Sequence, residues 1–162
     1  MRFNLTSTLS NDIQIAIIGA GAIGGLVGAK LALTGEDVTF VVRGGNLDAI
    51  SRNGVKLTSN DGVEQVASNV KASNDYAAIG VQDIMILAMK AHQVEGVVDD
   101  LPKLLGPYTM VVTMQNSIPF WYFEKLGGPL HGTRLTSIDP TGTLLEIIPA
   151  AHVFGCVVYP AS

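Results

Sequence analysis

With 162 residues, 48% hydrophobic and 15% charged, the chain is one domain by size, and its composition excludes a disordered or fibrous polypeptide. A net charge of −4 leaves no basic surplus for general binding to nucleic acid or to an anionic membrane, so any anion bound here must be held locally. The single cysteine, Cys156, excludes an intramolecular disulfide and a cysteine-based metal cluster, and it fits a reducing cytoplasm.

The first twelve residues, "MRFNLTSTLSND", lack the apolar run of a secretory signal and read as a short leader, with residues 13–162 forming the domain. "IQIAIIGA" reads as a buried strand ending at Gly19. Ala22 to Leu33 then has helical spacing, with Gly35 placed to end the helix. "DVTFVV", Asp37 to Val42, is a second β-branched strand that stops at Arg43. "LDAISRNG" is a short helix closed by Gly54, and "VKLTSNDGVEQVA" predicts a hairpin around Asn60-Asp61-Gly62. A helical turn near Tyr76 to Ile79 leads into the strand "DIMILAMK", ending at Lys90. "HQVEGVVDDLPKLLG" has a helical period closed by Gly106, and "TMVVTMQN" is a strand ending at Asn116. "IPFWYFEKLGG" predicts a helix with proline in its first turn. Gly132 to Tyr159 reads as two or three short strands separated by "DPTG". Strands alternating with helices imply right-handed crossovers and a mostly parallel sheet.

The stretch from Ile13 to Gly35 carries one charge and six glycines, which raises the question of a membrane segment. Its apolar residues divide into a strand and a helix, each too short for about 30 Å of hydrocarbon. The glycines carry a different message. Gly19, Gly21 and Gly24 match G-x-G-x-x-G: the first permits the tight turn, the second lets the main chain approach a pyrophosphate, and the third lets the helix pack closely on the strand. Amides at the helix start then face the phosphates.

About twenty residues past such a loop, NAD-preferring domains place an acidic side chain to accept bonds from ribose hydroxyls. Here Arg43 stands nineteen residues after Gly24. An arginine pairs with a 2′-phosphate, worth about 1.5–3 kcal/mol or roughly ten- to a hundredfold in affinity, so NADP is favoured, against the reading of a solvated loop charge. Lys90 and Asn116 end two further strands at the same carboxyl edge, where ligands bind in open parallel sheets. Lys90 suits a cofactor ribose or a substrate carbonyl or carboxylate, against the reading of a solubilising charge. Asn116 suits the nicotinamide side or a substrate carboxylate, against ordinary turn chemistry.

Together "GAGAIGG", "VVRGG", "LAMKAHQV" and "MQNSIPFWYF" resemble the ketopantoate reductase family, NADPH-dependent enzymes that reduce a 2-oxo acid to a 2-hydroxy acid. The resemblance runs from about Ile13 to the end and implies an α/β, Rossmann-type doubly wound sheet with helices on both faces. By resemblance Gly19, Ala20, Gly21, Ala22, Ile23 and Gly24 carry the pyrophosphate and Arg43 the 2′-phosphate. Lys90 and Asn116 contact cofactor and substrate and are the catalytic candidates. Two departures stand out. The family usually has Asn-Gly where this chain has Asn116-Ser117; Ser117 offers instead a side-chain cap for the next helix. The family's general-acid lysine and a substrate-holding glutamate come from a C-terminal helical domain, and this chain stops at Ser162, about where that domain begins. The expectation is NADP binding with little turnover by this chain alone, with apolar surface left for self-association. The competing reading is a stand-alone NADP-binding sensor or regulatory module. A different oxidoreductase on the same fold is weakened by the joint Lys90 and Asn116 pattern.

The remaining polar and aromatic residues read as structure. His92 is a helix-start residue beside the site, and His131 and His152 have no second ligand at metal spacing. Phe120 to Phe123 is an aromatic helix face, Cys156 a small buried hydrophobe, Asp99-Asp100 a solvated helix face, and Asp83 and Asp139 turn residues.

Overall fold

Strands that are apolar on both faces are stable only when both faces are covered. The computed structural model, which describes residues 13–159, supplies that cover. Its strands are β1 (Gln14–Ile18), β2 (Asp37–Val41), β3 (Val55–Thr58), β4 (Glu64–Ala67), β5 (Lys71–Ser73), β6 (Ile84–Leu87), β7 (Met110–Thr113) and β8 (Val153–Gly155). The helices are α1 (Ala22–Leu33), α2 (Gly45–Asn53), α3 (Tyr76–Ile79), α4 (Ala91–Val94) and α5 (Thr143–Ile147). Six strands form one parallel sheet in the order β5-β2-β1-β6-β7-β8, while β3 and β4 form a separate antiparallel ribbon.

Alternate residues of each strand feed two cores. Ile15, Ile17, Val38, Phe40 and Ile86 belong with Ala29 and Ala32 of α1 and Ile50 of α2. Ala16, Ile18, Met85, Leu87 and Val111 belong with Val94, Leu101, Leu104 and, from the α5 region, Leu144 and Ile148. Two cores on opposite faces make the sheet doubly wound, as expected. Successive strands add outward from β1 in one direction as β2 and β5, and in the other as β6, β7 and β8. The reversal between β1 and β6 is where an open parallel sheet leaves a crevice at its carboxyl edge.

The helix expected over "HQVEGVVDDLPKLLG" is broken. It consists of α4 followed by single 3-10 turns at Glu95–Val97 and Leu101–Lys103. Gly96 weakens the helix, and Pro102 removes a donor and clashes with the preceding turn. No helix forms over "IPFWYFEKLGG": the main chain makes turns, with Tyr122 N donating to Pro119 O and Glu124 N to Trp121 O. Phe120 is buried in the core, and the consecutive aromatics are poor helix formers. Ser117 therefore has no following helix to cap.

Between Gly132 and Tyr159 there is one strand, β8, in place of the two or three expected. "DPTG" opens into α5 because Asp139, fully buried, accepts at Oδ1 from Leu144 N at 3.1 Å. Leu144 and Ile148 then anchor that short helix in the core. Cys156 is half-buried beyond the end of β8. Strand β5, short and polar at its outer edge, has no counterpart among the expected strands. The expected leader lies outside the described residues. No helix among the described residues is long and apolar enough to cross a membrane.

Candidate functional site

At the carboxyl ends of β1, β2 and β6 lies an open cleft of about 840 Å³. One wall is the turn from β1 into α1, residues Gly19 to Ile23. A second carries Arg43, Asn46, Asn74 and Tyr76, and a third carries Met89, Lys90, His92, Gln93 and Asp100. Gly19 sits at φ +100°, a left-handed conformation that side chains avoid, and its N–H donates to Val41 O at 3.3 Å. That conformation turns the chain out of the sheet and into α1.

The next two glycines of the motif do different jobs. A Cβ on Gly24 would lie 2.0 Å from Gly19 O and 2.9 Å from Ala88 Cβ, so this glycine lets α1 sit directly against the turn and the residue that follows β6. A Cβ on Gly21 would meet nothing within 4 Å. Gly21 is also the N-cap of α1 and supplies no side-chain bond, so the first-turn amides are left facing open space at the positive end of the helix dipole. Space, unpaired donors and positive potential in one place fit a pyrophosphate.

Arg43 follows β2 by two residues, is exposed, and makes no ion pair with any described residue, so its guanidinium fork is free for a ligand. Helix α2 begins two residues later, and its first turn carries Asn46 on the cleft wall. Lys90 is the N-cap of α4. Its main-chain N–H donates to Gln93 Oε1 at 3.2 Å, while its exposed ammonium makes no ion pair with a described residue. Gly19, Arg43 and Lys90 are thus brought to one cleft.

Asn116 is not. Its Nδ2 donates to Val158 O at 2.6 Å and its Oδ1 accepts from Val158 N at 2.9 Å, so the side-chain amide ties the end of β7 to the chain beyond β8. Of the histidines, His92 lines the cleft from α4, while His152 Nδ1 lies 2.9 Å from Thr109 O in a structural contact. No group of three or more metal-ligating side chains occurs among the described residues.

Several residues that line the cleft were not assigned to the site by the sequence reading, among them Asn46, Asn74, Tyr76, Gln93 and Asp100. Asp100 lines the cleft and also accepts from Lys103 Nζ at 2.6 Å, which holds the lysine above its usual pKa. The Tyr76 phenol is raised above its ordinary range, mainly by burial and then by the Asp100 charge, against the opposing pull of Arg43. Recognising β5 as the neighbour of β2 was the signal that would have found Asn74 and Tyr76.

The sequence pattern of the family described as "Ketopantoate reductase PanE/ApbA" matches residues 15–119. The chain belongs to the ketopantoate reductase family. A 2-dehydropantoate 2-reductase from Mesorhizobium japonicum is 48% identical over 92% of this chain and 45% of its own length. One from Pyrococcus horikoshii is 34% identical over 83% of this chain and 42% of its own. A crystal structure from Ralstonia solanacearum MolK2, of a protein assigned as a ketopantoate reductase, superposes with a TM-score of 0.85 at 44% identity, covering 91% of this chain and 45% of that one. The ternary structure of D-mandelate dehydrogenase with NADH and anilino(oxo)acetate shares the fold, with a TM-score of 0.67 at 22% identity over 88% of this chain and 40% of that one. The chain therefore spans about half the length of the relatives it matches or less. Ketopantoate reductases use NADPH, and their N-terminal domain is the dinucleotide-binding part.

Proposed function

We propose that this chain is the NADP(H)-binding region of a reductase that converts ketopantoate or a related 2-oxo acid to the 2-hydroxy acid. The observation that carries the reading is the convergence of the Gly19 turn, Arg43 and Lys90 on one cleft at the switch point of the sheet. The main chain of Gly19, Ala20, Gly21, Ala22, Ile23 and Gly24 holds the pyrophosphate, and Arg43 holds the 2′-phosphate. NADPH, when bound, supplies the hydride. Lys90 orients the cofactor and places a positive charge where the substrate's carbonyl oxygen or carboxylate lies. We assign Asn116 to the substrate side, a role that requires its amide to exchange Val158 for the ligand. We place the enzyme in the cytoplasm, a location with which the single cysteine is consistent.

Proton delivery by a positioned acid is typically worth about 10²–10⁴-fold. We assign that step to a group outside the strand ends described above, so the 162-residue chain assayed by itself is expected to bind far better than it turns over. Titration should show NADPH binding at least about tenfold tighter than NADH. Ketopantoate reduction should run at least about a hundredfold below that of a full-length relative. Failure to bind either nucleotide overturns the reading, and rapid steady-state reduction overturns the assignment of the acid elsewhere.

The edge strand β8 has exposed apolar side chains in and beyond it, with Phe154 at 52%, Val157 at 64% and Tyr159 at 89% of their full exposure. An apolar edge that no described residue covers favours pairing with another copy. We propose that the chain self-associates there. Sedimentation velocity should show mass rising with concentration and falling back to monomer in Phe154→Lys; a monomer at every concentration sinks this assignment.

A further inference from the structure

The Tyr76 ring is packed as a core residue, 9% exposed, within the cluster that includes Val41, Met85 and Leu101, yet the residue also lines the cleft. Packing accounts for the ring and not for the hydroxyl, since phenylalanine would fill the same space. A hydroxyl in such a place is satisfied by a partner or costs stability. Among the described residues the hydroxyl has no hydrogen-bond partner and is not fully enclosed, and Tyr76 is part of the cleft wall.

Its position is fixed by the sheet. β5 pairs in parallel with β2, with Val41 opposite Ser73, and Val42 N donates to Ser73 O at 3.0 Å. Arg43 therefore leaves β2 beside the point where Tyr76 leaves β5. Asp75 caps α3 directly before Tyr76, accepting from Ala77 N at 3.0 Å and Ala78 N at 3.1 Å. Both charges act on the phenol, Asp100 raising its pKa and Arg43 lowering it. Asp100 accepts from Lys103 Nζ, and the Tyr76 hydroxyl donates to no described residue, so its proton is open to a ligand.

Resting on the NADP reading above, we propose that Tyr76 is a further specificity residue for the cofactor, its hydroxyl donating to the phosphorylated ribose held by Arg43. Burial and then the Asp100 charge raise the phenol above its ordinary range, so the hydroxyl keeps its proton at neutral pH. The ring anchored in the core holds that donor in place, so little side-chain freedom is lost when the ligand arrives.

Tyr76→Phe keeps the ring and removes only the donor. In calorimetric titrations it should weaken NADPH about tenfold, as expected for a hydrogen bond to a charged group, and change NADH less than about twofold. Should the variant fold poorly, the wild-type chain supplies a second readout. Its tyrosine ultraviolet difference spectrum should respond to saturating 2′-AMP and not to 5′-AMP. Unchanged NADPH affinity, equal losses for both dinucleotides, or the same spectrum with both mononucleotides overturns the role of Tyr76 while leaving the NADP reading intact. A wild-type chain that binds neither dinucleotide overturns that reading and the role of Tyr76 with it.

Discussion

Gly24→Ala is expected to lower the melting temperature by about 5 °C or more and to abolish measurable NADPH binding, whereas Gly21→Ala should leave the melting temperature unchanged while weakening NADPH at least about tenfold. The two substitutions add the same methyl group three residues apart in one loop. At Gly24 it would stand 2.0 Å from the carbonyl oxygen of Gly19 and 3.2 Å from the carbonyl carbon. Both are main-chain atoms of a turn already fixed by the bond from Gly19 N to Val41 O, so the strain cannot be relieved by a side-chain rotation. The helix must lift from the sheet instead. Overpacking of this kind costs typically about 1–3 kcal/mol, a shift of several degrees in a domain of this size. Lifting α1 also displaces the first-turn amides from the phosphates. At Gly21 the methyl meets nothing of the protein and stands in the space the phosphates need. Thermal unfolding and nucleotide titration of both variants separate the two jobs; a Gly24→Ala chain with wild-type stability would refute the packing argument.

The same contrast explains how much of the molecule was legible in the sequence. Features set by a short run of chain were readable: α1 spans Ala22–Leu33 as its spacing and flanking glycines require, and β2 stops short of Arg43. The core strands were readable because burial on both faces demands continuous apolar residues. What failed was decided by distant partners. The "FWYF" segment has a proline suited to a helix start, yet Phe120 is drawn into the core and Trp121 packs against the chain at Gly155, so the main chain turns instead. Asp139 looks like a turn residue until Leu144 N is seen to bond it. β5 is three residues of "KAS", with no hydrophobic signal, and exists because the edge of β2 offers a ladder. The unread strand hid Asn74 and Tyr76 from the site. Asn116 shows the converse: the residue does follow its strand, but a bond to Val158, forty-two positions away, holds its side-chain amide in this structure, which its place in the sequence did not signal.

Arg43→Ala should weaken NADPH about ten- to thirtyfold and leave NADH within about twofold of wild type. NADPH and NADH differ by one phosphate, and a side chain that contacts nothing else of the cofactor discriminates only through it. Charge-assisted bonds of a guanidinium to phosphate are worth about 1.5–3 kcal/mol when partly shielded, but Arg43 is exposed and its field is screened, which places the expectation in the lower part of that range. The screening gives a second signature. NADPH affinity of the wild-type chain should fall more steeply with added salt than NADH affinity, and Arg43→Ala should bring the two slopes together. Arg43→Lys keeps the charge and loses the planar fork, so it should recover part of the preference and keep the salt dependence. An arginine that merely solubilised the loop would give equal, small changes for both nucleotides in every one of these measurements.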